Sequence, residues 1–424
     1  MKYLLHDSRQ LQSASETLFF AIETDKNDGH EYISELYQKG VRNFIIEKEI
    51  NTSKYPDATF ELVNNSVHKL QEIAKEHRQQ FNIPVIGITG SNGKTIVKEW
   101  LYHLLHEKEE IARSPQSYNS QIGVPLSVWE IQKEHTLGIF EAGVSRHGEM
   151  QNLKEIIACN YGIFTSLGTA HAAGFQGDEE KVKEKSILFG NCEKVFYKSD
   201  IPYLKKYISN GISFGNKKTD TLQILAIKNI KEKNLQTEIK AIYKKEEVII
   251  KIPFSDSASC DNALLCCLVC LEMDYDKNYI LNQLKMLPSV AMRLELKKGI
   301  NNTVIINDTY NSDITSLQSS LSFLDNQAGN KKGILILSDI LEDARNKKEL
   351  YQKVAELIQK HPRLNKIIGI GESIEILKEL LPQEFNVEHY PSTEIFLFEV
   401  KDQDFNQEII LVKGAREFRF ERIV

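Results

Sequence analysis

No run of eighteen or more apolar residues occurs in the 424-residue chain, which excludes a membrane-crossing helix of ordinary length. The N-terminus, Met1-Lys2-Tyr3-Leu4-Leu5-His6-Asp7, turns polar too soon for a secretory signal. A cytoplasmic location is expected. A basic excess is also missing: 53 Lys and Arg against 59 Asp and Glu leave a net charge of -6. That speaks against a nucleic-acid partner, because non-specific affinity for a phosphate backbone needs a basic face. Cysteines number six, and Cys267-x-x-Cys270 lacks the second pair or nearby histidine that would complete a zinc site. Together with Cys260 and Cys266 it reads as small core residues of a buried helix. Neither a solenoid-period repeat nor a low-complexity tract is present. With 41% hydrophobic and 26% charged residues, the composition is that of a soluble globular protein, and the length calls for two or three domains.

The apolar runs indicate an α/β protein of three domains. Residues 1–82 carry strands at 18–22 and 41–46 and a helix around 67–75; the proline of Asn82-Ile83-Pro84 marks a boundary. Residues 83–288 alternate short apolar strands (85–89, 138–141, 161–165, 194–197) with helical stretches, the signature of a mostly parallel sheet covered on both faces. Alternating apolar and charged positions over 222–252 predict an antiparallel edge. Residues 289–424 restart the pattern, with strands at 304–306, 333–337, 367–370 and 409–412, and form a further α/β domain.

The most informative segment is Thr89-Gly90-Ser91-Asn92-Gly93-Lys94-Thr95, a glycine-rich loop between the strand 85–88 and a helix. That helix places Val97, Trp100, Leu101, Leu104 and Leu105 on one face. Backbone N–H groups of such a loop turn toward phosphate oxygens, the lysine reaches the β- and γ-phosphates, and the threonine hydroxyl holds Mg²⁺. ATP is the expected ligand. The usual spacing puts the first glycine at position 88, which is Ile88 here; the glycine stands at 90 instead.

Other chemistry-bearing residues fall at expected strand ends, where open α/β sheets bind ligands. Glu141 either completes the coordination of a nucleotide-bound Mg²⁺ or is a solvated strand-end carboxylate. His171 follows the next strand and is either a metal ligand or an inert loop histidine. In the helix 178–189, Lys185 is i+3 from Val182 and i−4 from Phe189, so it shares the apolar face. Lys181 and Lys183 are expected to point elsewhere. An inward Lys185 would keep a neutral amine able to react with CO₂ to give a carbamate; a snorkelling surface lysine is the alternative. Asp308 fits a ribose-binding carboxylate or a turn, and Lys413-Gly414-Ala415-Arg416 an anion site or a solvated loop.

Taken together, these positions resemble the Mur ligases, the ATP-dependent amide-forming enzymes of peptidoglycan precursor synthesis. Within that family the pattern is most similar to the branch that adds D-alanyl-D-alanine. The similarity rests on the 89–95 loop, Asn119-Ser120-Gln121-Ile122-Gly123-Val124-Pro125, Glu141-Ala142-Gly143 and Gly148-Glu149-Met150. It extends to the spacing from His171 to Lys185, Arg293-Leu294-Glu295, Asp308-Thr309-Tyr310-Asn311 and Lys413-Gly414-Ala415-Arg416. Asp7-Ser8-Arg9, with Leu18-Phe19-Phe20-Ala21 and Asp28-Gly29-His30, resembles the family's UDP-sugar-binding domain. Relatives carry another strand and helix ahead of that motif, where six residues precede it here, so either a truncated start or an abbreviated domain is expected. Departures are Ser120, Gln121, Asp313, and Ser259 in place of an adenine-contacting asparagine.

The resemblance implies that a carboxylate of UDP-N-acetylmuramoyl-tripeptide attacks the γ-phosphate of ATP and that D-alanyl-D-alanine then displaces phosphate. It assigns Gly90, Ser91, Asn92, Gly93, Lys94 and Thr95 to the phosphates, Asn262 to adenine, Asp308 to ribose, and Arg293 to the phosphates from the third domain. Thr95 and Glu141 take one Mg²⁺, and His171 with a carbamylated Lys185 a second, so that Lys94, His171 and Lys185 carry the catalysis. Ser8, Arg9 and Asn119 are assigned to the muramoyl substrate, and Lys413 or Arg416 to the dipeptide's carboxylate. Some relatives are fused to an alanine racemase, which makes a racemase, fused or separate, an expected partner. A ligase of the same superfamily adding a single amino acid, or a P-loop NTPase without ligase activity, is the alternative.

Overall fold

The computed structural model describes residues 1–25, 27–168, 174–231, 235–341, 343, 345–401 and 405–424. Three large sheets follow one another along the chain. The first comprises β1 (Tyr3–Leu5) and β2 (Thr17–Phe20), then, after a two-residue ribbon of β3 (Glu23–Thr24) and β4 (Asn27–Asp28), β5 (Asn43–Ile46) and β6 (Thr59–Leu62). Its order is β1-β2-β5-β6, all parallel. The strand expected over 18–22 ends at Phe20, because Ile22 N–H turns back to the Phe20 carbonyl (3.0 Å) and Gly29 N–H bonds the Ile22 carbonyl (2.9 Å). Helix α1 (Ile33–Gln38) buries Ile33 and Leu36 against Phe19 and Phe44; α2 (Ser66–Arg78) buries Leu70 with Phe20 and Ile45. Helix α2 also faces the second sheet: Ala74 joins that core, and the buried Arg78 donates to the carbonyls of Ile157 and Phe81.

The second sheet has nine strands: β7 (Val85–Thr89), β8 (Ile111–Arg113), β9 (Leu137–Glu141), β10 (Tyr161–Phe164), β11 (Lys194–Lys198), β12 (Gly211–Gly215), β13 (Leu222–Lys231), β14 (Leu235–Tyr243) and β15 (Glu246–Ile252). Their order is β15-β14-β13-β12-β11-β10-β7-β9-β8, parallel from β8 to β13 and antiparallel beyond. The antiparallel edge predicted over 222–252 is observed. Helices α3 (Lys94–Leu105), α4 (Gly123–Trp129), α5 (Glu149–Ile157), α6 (Asp178–Ser186), α7 (Ser257–Glu272) and α8 (Lys277–Leu284) connect and cover it. The apolar stripe of α3 packs with α7 and α8 on one face, and α4, α5 and α6 fill the other. Cys260, Cys266, Cys267 and Cys270 are buried in α7 among those core residues.

The third sheet consists of β16 (Glu295–Lys298), β17 (Val304–Asp308), β18 (Gly333–Ser338), β19 (Leu364–Ile370), β20 (Asn386–Tyr390) and β21 (Ile409–Lys413), in the order β16-β17-β21-β18-β19-β20. Only its edge strand β16 is antiparallel. Helices α9 (Ile314–Ala328), α10 (Lys347–Gln359) and α11 (Leu377–Leu380) bury one face, and α12 (Thr393–Glu399) contributes Phe396 to the other. Among the described residues no helix is long and apolar enough to cross a membrane.

Strand order fixes where ligands can sit. In the second sheet β7 lies between β9 and β10, with Ile88 opposite Glu141 and Thr89 opposite Phe164. Connections leave β7 in opposite directions, and such a reversal opens a crevice at the carboxyl ends of the strands. The third sheet repeats the device: β21 is inserted between β17 and β18, and Asp308 is the register partner of Lys413.

Candidate active site

The loop after β7 is held by backbone geometry that glycine alone tolerates. Gly90 has φ +139° and Gly93 φ +89°; a Cβ would fall 2.2 Å from Thr165 Oγ1 at the first and 2.6 Å from Asn262 Oδ1 at the second. Gly93 then starts α3, so the helix N-terminus faces the crevice. Lys94 is buried, and its ammonium folds back onto the carbonyls of Gly90 (2.9 Å) and Ser91 (3.0 Å). Burial, reinforced by the nearby Arg293, lowers its pKa to about 8, against the opposing pull of Glu141 and Asp313.

Thr95 follows on the first turn, with its hydroxyl 3.1 Å from Glu141 Oε2 and 2.8 Å from Ser117 Oγ. Asn119 donates to the same Glu141 oxygen at 3.3 Å. Glu141 itself is fully buried at the end of β9. Buried carboxylate and two hydroxyls thus converge beside the phosphate loop, an all-oxygen set that suits Mg²⁺, and the Asn119 amide N–H holds the carboxylate. Ser117 is absent from the sequence reading; two residues before Asn119, it carried no pattern that marked it.

Helix α6 requires a correction. Lys185 is fully buried, as its phase predicts, and its Nζ has no hydrogen-bond partner among the described residues. Burial first, then the charges of Lys94 and Lys181, push its pKa well below the ordinary lysine value. Lys183 is exposed. Lys181, however, does not point elsewhere: it is 1% exposed and its ammonium donates to the Gly168 carbonyl at 2.8 Å. The reason is geometric, since residues four apart lie nearly above one another on a helix, which puts Lys181 on the face of Lys185. His171 lies outside the described residues.

The third segment closes the crevice. A cavity of about 420 Å³ is lined by Asn92, Gly93 and Asn262 from one side and by Arg293, Asp308 and Ser320 from the other. Asn92 Nδ2 reaches Asp313 Oδ1 at 3.4 Å across the gap. Arg293 lies over the Tyr310 ring, 4.1 Å from its centroid, with Arg416 5.7 Å from the same ring. Lys413 is not free to meet a ligand carboxylate: both it and Asp308 are buried, and its ammonium binds Asp308 Oδ2 (2.6 Å) and the Asn311 carbonyl (3.0 Å). Ser259 does not line the cavity, whereas Asn262 does. In the first segment Ser8 is buried, and the exposed Arg9 forks onto Asp7 at 2.8 and 2.7 Å.

Comparison with known proteins decides the family. Residues 88–270 match the model of the Mur ligase middle domain, and residues 292–416 that of the Mur ligase, glutamate ligase domain. The chain belongs to the Mur ligase family. The resemblance read from the sequence and the α/β fold class are both borne out. Similar to this Mur ligase, at 27% identity over 96% of the chain and 88% of the relative, is the UDP-N-acetylmuramoyl-tripeptide–D-alanyl-D-alanine ligase of Buchnera aphidicola. The Bacillus subtilis ligase of the same name is 25% identical, over 99% of the chain and 91% of its own length. Among solved structures, MurF from Acinetobacter baumannii superposes with a TM-score of 0.83 at 21% identity, covering 99% of this chain and 92% of its own. The Thermotoga maritima MurF ligase in complex with ADP gives 0.80 at 21%, covering 99% and 96%. At these identities the structures speak to the fold.

Proposed function

We propose that this Mur ligase joins D-alanyl-D-alanine to the free carboxylate of a UDP-N-acetylmuramoyl-tripeptide, at the cost of ATP, as a step of peptidoglycan precursor synthesis. The observation that carries the reading is a phosphate loop beside a buried strand-end carboxylate, with a fully buried lysine, Lys185, within electrostatic reach of Lys94 and without a hydrogen-bond partner among the described residues. The substrate carboxylate attacks the γ-phosphate, releasing ADP and leaving an acyl phosphate. The dipeptide amine then adds to the acyl carbon, and phosphate leaves as the amide forms. Little covalent help is needed from the protein; alignment and charge neutralisation are.

Lys94 supplies positive charge to the β- and γ-phosphates, exchanging its two loop carbonyls for phosphate oxygens, while the α3 N-terminus adds its dipole. Thr95 and Glu141 would hold Mg²⁺, which when bound offsets the charge of the phosphates in transfer. The neutral amine of Lys185 is fit to attack CO₂, forming an N–C bond and losing one proton, and the resulting carbamate with His171 would hold a second ion. Asn262 contacts adenine, Asp308 the ribose and Arg293 the phosphates. Ser8 and Arg9 serve the UDP-sugar and Asn119 the muramoyl-peptide. Arg416, rather than the occupied Lys413, is the cation for the dipeptide carboxylate. Such a ligase draws on a supply of D-alanine, which an alanine racemase, fused or separate, provides.

The test is ADP release measured with each substrate omitted in turn, followed by mass spectrometry of the product. Release that needs both the UDP-muramoyl-tripeptide and the dipeptide, with a product heavier than the tripeptide by the dipeptide less water, is the expected result. ADP release indifferent to the amine would remove the ligase reading.

A further inference from the structure

Lys98 is the one charged residue of α3 with no exposed surface at all, at 0%. It lies three residues before Leu101 and seven before Leu105, so the helix carries it inward with its apolar face. Its Nζ donates to the Ser114 carbonyl at 2.7 Å and to the Gln116 carbonyl, and lies 3.0 Å from Glu99 Oε1. It also approaches Glu141 Oε1 at 3.3 Å, a charge contact outside hydrogen-bond geometry. Lys98 lines neither the 420 Å³ cavity nor the smaller one at the phosphate loop, so it cannot touch a nucleotide held there.

The two oxygens of Glu141 are therefore divided. Oε2 looks toward Thr95 and Asn119, on the side of the phosphate loop; Oε1 looks back at Lys98. The carbonyls that Lys98 grips belong to the segment leading into Ser117, whose hydroxyl meets Thr95, and the Ser114 hydroxyl accepts the backbone N–H of Glu141 at 3.2 Å. One buried ammonium thus ties the first turns of α3, the 114–117 segment and the carboxylate into a single frame. Arg113 binds Glu99 Oε2, so the Lys98 ammonium faces two carboxylate oxygens, Glu99 Oε1 and Glu141 Oε1.

We propose that Lys98 is a positioning residue for the metal end of the site, fixing Glu141 Oε2, Thr95 and Ser117 in one arrangement before nucleotide and cation arrive. The proposal rests on the reading of Glu141 and Thr95 as Mg²⁺ ligands given above. Groups behind metal ligands typically change metal affinity 10- to 100-fold when removed, whereas a lysine that merely neutralises buried charge changes stability and leaves the cation requirement alone.

The test uses the full chain and Lys98→Met, which keeps the aliphatic stem. Mn²⁺ binding to the ADP complex is followed by electron paramagnetic resonance, ADP binding without divalent ion by calorimetry, and the Mg²⁺ dependence of ADP release by assay. Mn²⁺ affinity should fall about 10-fold or more, with a matching rise in half-saturating Mg²⁺, while metal-free ADP binding and kcat at saturating Mg²⁺ stay within about threefold. In a Glu141→Gln background, adding Lys98→Met should cost less than about a further twofold, because a residue acting through another loses its effect with that partner. Unchanged Mn²⁺ affinity in folded Lys98→Met, or an equal loss in both backgrounds, overturns the proposal. Should Lys98→Met fail to fold, Lys98→Arg replaces it; the larger head cannot keep both carbonyls and Glu141, so Mn²⁺ affinity should again fall, and an unchanged value overturns the proposal. Glu141→Gln alone reports on the ligand assignment: if it leaves Mn²⁺ affinity intact, the underlying reading fails before Lys98 is at issue.

Discussion

The Lys413 ammonium lies 2.6 Å from the Asp308 carboxylate, and the two residues are register partners at the carboxyl ends of adjacent parallel strands. Asp308 Oδ2 also accepts from Ser320 at 2.6 Å, so one carboxylate oxygen is spent inside the protein while the residue still lines the 420 Å³ cavity. Both side chains are nearly dry, at 1% and 9% exposed. Removing one partner of such a pair leaves a buried charge uncompensated, which typically costs about 3–5 kcal/mol. Lys413→Met should therefore lower the melting temperature markedly and raise the KM for ATP through Asp308. A Lys413→Met enzyme of normal stability with only a raised dipeptide KM would return Lys413 to the substrate.

Lys94 offers a prediction in pH. Its folded pKa of about 8 lies below the ordinary 10.5, so between these values the unfolded chain binds more protons than the folded one, and stability rises with pH across that window. Below pH 8 both states are protonated and the full penalty of burying the charge is present. Lys94→Met should therefore be the more stable protein at pH 7, by up to about 3 kcal/mol, and the gap should close as pH climbs from 8 toward 10.5. Thermal melts of the two nucleotide-free proteins across pH check this; a gap that widens with pH contradicts it. Turnover should fall in Lys94→Met by about 10²–10³, the usual loss for a group that stabilises transferring charge.

The three lysines of α6 should separate cleanly. Lys185→Ala should be nearly inactive and partly restored by a short-chain carboxylic acid that replaces the carbamate oxygens. Lys183→Ala, on the exposed side, should behave as wild type. Lys181→Ala removes one donor to the Gly168 carbonyl, which keeps its bond from the Ser91 hydroxyl, so it should lose about 0.5–1.5 kcal/mol, the net worth of an ordinary hydrogen bond, and melt slightly earlier without any rescue by added acid. Rescue of Lys181→Ala but not of Lys185→Ala would transfer the carbamate to the wrong residue for this reading.

Local pattern made much of this legible. The phosphate loop announces itself because its glycines, lysine and threonine are contiguous, and Glu141 and Asp308 could be placed at strand ends because apolar runs stop there. What local pattern cannot supply is strand order. That β9 lies beside β7, bringing Glu141 to Thr95, or that β21 lies beside β17, giving Lys413 to Asp308, depends on pairings between residues 46 and 105 positions apart. Helical phase was informative where it was applied fully. It placed Lys185 inward, and the same i+3 and i+7 test places Lys98 with Leu101 and Leu105. Lys181, next to Val182 in sequence, stands four residues before Lys185, and that i+4 relation puts it on the buried face.

The amine substrate gives the last prediction. The diaminopimelate-adding branch of the family is marked by an Asp-Asn-Pro-Arg motif that grips a single amino acid, and no such tetrapeptide occurs in this sequence. Arg416 instead stands beside the Tyr310 ring, and with Asn311 and Asp343 it borders a second small cavity of about 130 Å³ next to the crevice. A guanidinium there is suited to a terminal carboxylate by a two-pronged, charge-assisted contact. In a competition assay, D-alanyl-D-alanine, D-alanine, L-lysine and meso-diaminopimelate are each offered with the appropriate UDP-muramoyl-peptide, and the dipeptide should be ligated preferentially. Arg416→Gln should raise the dipeptide KM about 10-fold or more, the loss expected for a charged hydrogen bond worth 1.5–3 kcal/mol, with the ATP KM little changed. Preferential ligation of a single amino acid onto the dipeptide-bearing precursor would instead place this enzyme in another branch of the family, and Arg416 would have to be reassigned with it.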